Sequence, residues 1–178
     1  MSVPGVSRSV LAALAAMMLA APVFAASAPV PAVWVSRHVY FVYRGFTVHY
    51  SCSGLRDEIV QLLTRLGARD LNVRSVGCVR PEGPARFPGV DVSMQVLAPV
   101  ARAAAGAPRL AAHWKKVVLL SGSGYRAGGQ CELMTQFRHT FLPVFDARAV
   151  HLRATCVPQQ ITPGTHLSAE VLFPSRAH

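Results

Sequence analysis

Acidic side chains are scarce in this chain: eight Asp and Glu stand against eighteen Lys and Arg, for a formal charge of +10 with histidine neutral. Lysine is scarcer still, with Lys115 and Lys116 alone. Acid–base catalysis needs placed carboxylates, and few are on offer. Asp57 and Glu58 are accounted for by the start of a helix, while Asp91 and Glu170 fall on late strands with no evident partner. There is no C-x-x-C, no C-x-x-C-H and no close cluster of Cys and His pairs. That excludes a thioredoxin-like redox motif, covalent haem attachment and the usual zinc spacings. His49-x-x-Cys52 and His151-x4-Cys156 bring histidine near cysteine, but an oxidised cysteine is no ligand. Met94, Met134, His139 and His151 are conceivable haem ligands. Met134 and His139, five apart, share no helix face well, and Met134 reads as core.

The glycine-rich run SGSGYRAGGQ over 121–130 holds neither G-x-G-x-x-G nor G-x4-G-K. Around Ser121 and Ser123 it lacks the two flanking glycines of a nucleophile elbow. A hydrolase-type enzyme using this loop is therefore the alternative reading. No catalytic, cofactor-binding or metal residue is nominated. The arginines are scattered without interleaved aromatics, which argues against nucleic acid. No second long apolar run exists: the alanine-rich stretch from Pro99 to His113 is broken by Arg102, Gly106, Pro108 and Arg109, so no transmembrane segment is expected in the mature chain.

What is present begins with an export signal. Arg8 precedes an apolar run from Val10 to Ala21, then Pro22-Val23-Phe24-Ala25. A basic start, a short apolar run and small residues at the cut define a secretory signal peptide. Cleavage is expected after Ala25, with release to a periplasm or the exterior. No cysteine sits near the cut to carry a lipid, and no twin arginine precedes the run. Residues 26–36 read as an extended, mobile lead-in, and residues 37–178 as one domain.

Within the domain, Val39, Phe41 and Tyr43 alternate with His38, Tyr40 and Val42, and after Arg44-Gly45 Phe46, Val48 and Tyr50 alternate with Thr47, His49 and Ser51. This pattern predicts a hairpin. Ser53 is placed as the cap of a helix whose Leu55, Ile59, Leu62, Leu63 and Leu66 form one apolar face, ended by Gly67. A strand over 71–78 follows. Further on, 116–120 reads as a strand and 132–142 as a helix presenting Leu133, Met134, Phe137 and Phe141. Strands over 148–156 and 165–173 close the chain.

Two segments repeat. PGVDVSMQVLAP (88–99) aligns with PGTHLSAEVLFP (163–174) without a gap, six of twelve positions identical. Cys78-Val79 and Cys156-Val157 precede them, and Cys52 and Cys131 lead each half. The chain thus reads as two tandem βαββ units: repeat one over 37–99, a linker over 100–113 and repeat two over 114–174. The fold class is α+β, with pseudo-twofold symmetry and helices on one face of a mainly antiparallel sheet.

Four cysteines in an exported chain predict disulfides. The repeat favours Cys52–Cys78 and Cys131–Cys156, since each unit has one cysteine before its helix and one after the next strand. Pairing across units is the competing connectivity, because spacing alone does not choose.

The segment YFVYRGFTVHYSCSGLRDEIVQLLTRLGARDLNVRSVGC, with QCELMTQFRHTFLPVF and TCVPQQ, resembles a set of small exported proteobacterial proteins without an assigned function; the resemblance implies export and carries no activity with it. The order βαββ-βαββ is similar to the tandem architecture of GyrI-like and SOUL-type haem-binding domains. This is a likeness of topology, which implies a cleft between repeats and carries no function. The favoured reading is a non-enzymatic binding or envelope accessory protein that meets a small ligand or envelope protein at the seam between units. Its arginines would add weak attraction to an anionic envelope component.

Overall fold

The computed structural model describes residues 29–46, 49–78, 85–102, 106–120, 127–154, 156 and 164–175. The leader, most of the 121–130 loop, including Ser121 and Ser123, and Val79 lie outside that set.

The first strand, β1, runs Val30–Val42. Val33, Val39 and Phe41 are buried on one side, while His38 and Tyr40 point to the other. The expected mobile lead-in is therefore paired sheet from Val30 onward. Pro31 is tolerated because a strand end can spare an N–H; it sits opposite Ala111 in a short ladder.

The expected hairpin at Arg44-Gly45 is not formed. β1 ends at Val42, and the chain turns toward the second helix instead. Tyr43 Oη donates to Glu132 Oε2 (3.1 Å), and the Phe46 N–H donates to the same oxygen (3.0 Å). The Gln136 side-chain amide pairs with both the N–H and the C=O of Arg44. Side chains of a helix thus satisfy backbone groups that a second strand would have taken. Gly45 passes so close to the Tyr43 ring that a Cβ there would overlap it.

Helix α1 spans Cys52–Arg65. Its cap is Ser51 rather than Ser53: the Ser51 hydroxyl accepts from the Gly54 N–H at 3.0 Å. Asp57 and Glu58 accordingly lie beyond the first turn, which holds no acid. Leu55, Ile59, Leu62, Leu63 and Leu66 are all buried, as the helical spacing indicates. Gly67, at φ +85°, ends the helix. β2 (Arg69–Val76) and β3 (Gly89–Pro99) follow. β4 (Leu110–Leu120) starts six residues before the strand that the sequence predicts, so the end of the supposed linker is sheet. Helix α2 (Ala127–Thr140) starts before Glu132 and is followed by a 3-10 turn over Leu142–Phe145, where Pro143 breaks the α ladder. β5 (Arg148–Arg153) and β6 (His166–Pro174) close the chain.

The six strands form one sheet in the order β2-β3-β1-β4-β6-β5, with every neighbouring pair antiparallel. β1 and β2 both run antiparallel to β3 and hence parallel to each other, with β3 between them; β4 and β5 flank β6 in the same way. Within the sheet, the described residues of the two halves pair at three register positions, Val30–Ala112, Pro31–Ala111 and Ala32–Leu110. Both helices pack on one side of the sheet. Their apolar faces join Phe41, Val92, Met94, Leu119, Leu167 and Val171 in the main core. Phe137 stacks on Phe141 (4.8 Å between centroids), and Phe141 meets Phe41 edge-on (5.5 Å). Across the seam, Arg65 Nη2 of α1 donates to the Val118 carbonyl (2.8 Å).

Two disulfides join Cys52 to Cys78 and Cys131 to Cys156, with Cα atoms 6.3 and 5.6 Å apart. Each ties the start of a helix to the chain just beyond the following strand.

Candidate functional site

No described helix covers the other side of the sheet. Strand alternation puts Ala32, Trp34, Ser36, His38 and Tyr40 there from β1, and Asp91, Ser93, Gln95 and Leu97 from β3. From the other half come Ala112, Trp114 and Lys116 of β4, with Ser168, Glu170 and Leu172 of β6. At the seam a second, smaller apolar cluster forms. Ala32, Leu97, Ala112 and Leu172 are buried in it, with Val30, Trp34, Leu110 and Trp114 packed around them.

The two indoles of this cluster are treated alike. Arg69 lies over Trp34, its guanidinium carbon 3.7 Å from the ring centroid, and Arg148 lies over Trp114 at 4.1 Å. Gln95 Oε1 accepts from Nε and Nη2 of Arg69 at 3.1 and 2.8 Å. Glu170 Oε2 accepts from Arg148 Nε at 2.7 Å.

A local backbone irregularity accompanies each arginine. β2 shifts register between Arg69 and Asn72, and β5 between Arg148 and His151. The residue after each arginine, Asp70 or Ala149, has φ near +50° (51° and 48°). A bulge of this kind re-aims a side chain. Here both arginines reach across the intervening strand, β3 or β6, to a tryptophan on the next. Left-handed backbone is unfavourable for alanine, and Ala149 adopts it at the bulge.

Polar groups flank the cluster. His38 Nε2 and Asp91 Oδ1 are 2.8 Å apart. A hollow of about 320 Å³ is lined by Ser36, His38, Ser93 and Gln95, among others. Another, of about 570 Å³, lies by His151, Arg153 and His166. Asp91 and Glu170 thus have the partners that the sequence did not reveal, His38 and Arg148.

A separate groove of about 480 Å³ runs between the end of β1 and α2, lined by Tyr40, Arg44, Gln136 and His139 among others. Beside it, burial pushes the Tyr43 and Tyr50 hydroxyls well above the ordinary tyrosine range, and the Glu132 charge adds to both shifts. Both therefore stay protonated, able to donate hydrogen bonds but not to act as bases.

The residues weighed from sequence for metal or haem are not brought together. Met94 and Met134 are buried in the core. His139 is on the groove, His49 is exposed and His151 is on the uncovered face. Among the described residues no group of three or more His, Cys, Asp and Glu could hold a metal ion. All four cysteines are in disulfides. No described helix is long and apolar enough to cross a membrane.

The Trp–Arg pairs were missed from sequence, although a signal existed: Trp34 and Trp114 are 80 residues apart, and Arg69 and Arg148 are 79 apart. These offsets lie within two residues of those of the cysteines, 79 and 78. No family model, curated protein or solved structure matches the chain.

Proposed function

We propose that this chain is an exported, non-enzymatic binding or envelope accessory protein whose working surface is the uncovered sheet face at the β1/β4 seam. The observation that carries this reading is the pair of tryptophans. The chain has only two, and both stand on this face, at opposite ends of one apolar cluster, each roofed by an arginine. A solvated sheet face is ordinarily polar, whereas here two half-buried indoles cover the buried Ala32, Leu97, Ala112 and Leu172, and an apolar centre rimmed by polar groups supports the reading of an interaction surface.

In the same reading the domain is two βαββ units related by a pseudo-twofold, running from β1 to β3 and from β4 to β6. Three correspondences support it. The strand order reads 2-3-1 in one half and mirrors it in the other. The bulges fall at equivalent places, Arg69/Asn72 and Arg148/His151. The Trp–Arg–Gln and Trp–Arg–Glu groups coincide. Export with cleavage after Ala25 is supported by the leader's pattern and is compatible with two disulfides.

The experiment is native purification of wild type and of the Arg69→Glu/Arg148→Glu variant from an extracytoplasmic fraction, followed by mass spectrometry of what each retains. Both arginines are exposed, so circular dichroism should show an intact fold in the variant. Material held by wild type and lost from the variant supports the reading. Equal retention by both, or nothing held by either, contradicts it. A mature N-terminus still at Met1 would refute export by cleavage.

A further inference from the structure

The uncovered face is apolar at its centre and basic at its margins. Arg69, Arg74, Lys116, Arg148 and Arg153 stand on it, against the carboxylates of Asp70, Asp91 and Glu170. Two of the carboxylates already have a cation, Asp70 3.8 Å from Arg69 and Glu170 2.7 Å from Arg148, and Asp91 lies 2.8 Å from the His38 ring nitrogen. The surplus is positive, on a chain whose net charge is +10.

That surplus selects among occupants. A second copy of the chain, docked face to face, would set basic margin against basic margin. A polysaccharide would want open aromatic ring faces, and here each indole has a guanidinium over it, at 3.7 and 4.1 Å. An anionic lipid surface needs neither. It needs an apolar centre for the boundary between headgroups and acyl chains, where tryptophan is favoured, and a basic rim for the phosphates. The arginines are pre-set for this. Arg69 spends Nε and one Nη2 donor on Gln95, and Arg148 spends Nε on Glu170, leaving the other guanidinium donors for a phosphate.

Resting on the reading of this face as the working surface, we propose that it docks on the surface of an anionic phospholipid bilayer, with Arg69 and Arg148 meeting headgroup phosphates and Trp34 and Trp114 settling between headgroups. Beside the arginines the two halves carry different charges: Gln95 is neutral and Glu170 is acidic, while the residue after the arginine is Asp70 in one half and Ala149 in the other. Substituting Gln95 or Glu170 tunes the rim by one charge without touching the core.

The test uses the exported protein with phosphatidylcholine vesicles, and with vesicles mixing phosphatidylcholine and phosphatidylglycerol. Cosedimentation and intrinsic tryptophan emission are the readouts, and the emission reports on this face alone, since the chain has no other tryptophan. One basic side chain near such a surface favours association about fivefold, so a surplus of two gives roughly thirtyfold preference for the anionic vesicles. High salt should abolish the preference. Emission should shift to the blue on binding. Gln95→Glu should weaken binding about fivefold and Glu170→Gln strengthen it about fivefold.

Absence of partition into anionic vesicles, equal partition into both vesicle types, or binding with no change in emission would overturn the proposal. A soluble polyanion, polygalacturonate, separates the two levels. If it shifts the emission and vesicles do not, lipid is wrong and the face remains the working surface. If neither shifts it, the lipid proposal fails, and retention of the same native material by wild type and the arginine variant would then remove the face reading as well.

Discussion

Removing either disulfide should destabilise the domain by about the same amount. The sequence separations are 26 and 25 residues, and the chain-entropy model assigns a loop of that length about 3.5 kcal/mol at 25 °C. The perturbation can be kept clean. Cys52 and Cys131 are completely buried, whereas Cys78 is half-buried and Cys156 exposed. Cys78→Ala and Cys156→Ala therefore cut each cross-link while leaving the packed cysteine in place as a small apolar residue. Urea unfolding of the two variants, beside wild type with and without reductant, measures the effect. Each variant should lose about 3.5 kcal/mol, or roughly 10 °C in Tm for a domain of this size. Reduced wild type should fall below both. A loss under about 1 kcal/mol in either variant, or a gap above about 2 kcal/mol between them, would refute the idea that the bridges act as equivalent staples.

Three further outcomes are expected. Phe137→Ala empties a fully buried site between Phe141 and the sheet and should cost about 3–5 kcal/mol by denaturant unfolding; a cost below about 1 kcal/mol would mean that the two helices do not share one core. Burial holds the Glu58 proton above the ordinary carboxylate range, and Arg65 opposes this only in part. In the window just above that range the native state binds more protons than the unfolded chain, so stability falls as pH rises through it. Glu58→Gln should remove that fall, and an unchanged pH–stability profile would count against it. Ala149→Gly relieves left-handed backbone at the β5 bulge, so it should be neutral or stabilise by up to about 1 kcal/mol; a clear loss would show that the alanine conformation is not strained.

The periodic parts of the fold were legible. The α1 face from Leu55 to Leu66 and the α2 face from Leu133 to Phe141 could be read because each residue's burial follows from helical spacing alone. The start of β1 was not legible: Val30-Pro31-Ala32 has the composition of a tail, and only its pairing with β4 makes it a strand. The false hairpin has a similar cause. Residues 46–50 alternate like a strand, but Glu132 and Gln136, nearly ninety positions away, take up the backbone groups of that turn. The candidate face was hidden for a further reason. Nothing local marks Arg69 as a partner of Trp34; the bulge at Asp70 aims it, and a bulge has no alternation signature. Asp91 and Glu170 looked unpartnered because their partners, His38 and Arg148, come from other strands.

The most direct test of the account is the solvent accessibility of Trp34 and Trp114 in the cell. Hydroxyl-radical footprinting of intact cells, set beside the purified protein, reads both residues by mass. Both indoles should be protected several-fold in cells, while exposed Phe46, which lies off this face, serves as the internal reference for dose. Equal oxidation of Trp34 and Trp114 in cells and in the purified protein would contradict the assignment of this face as the working surface.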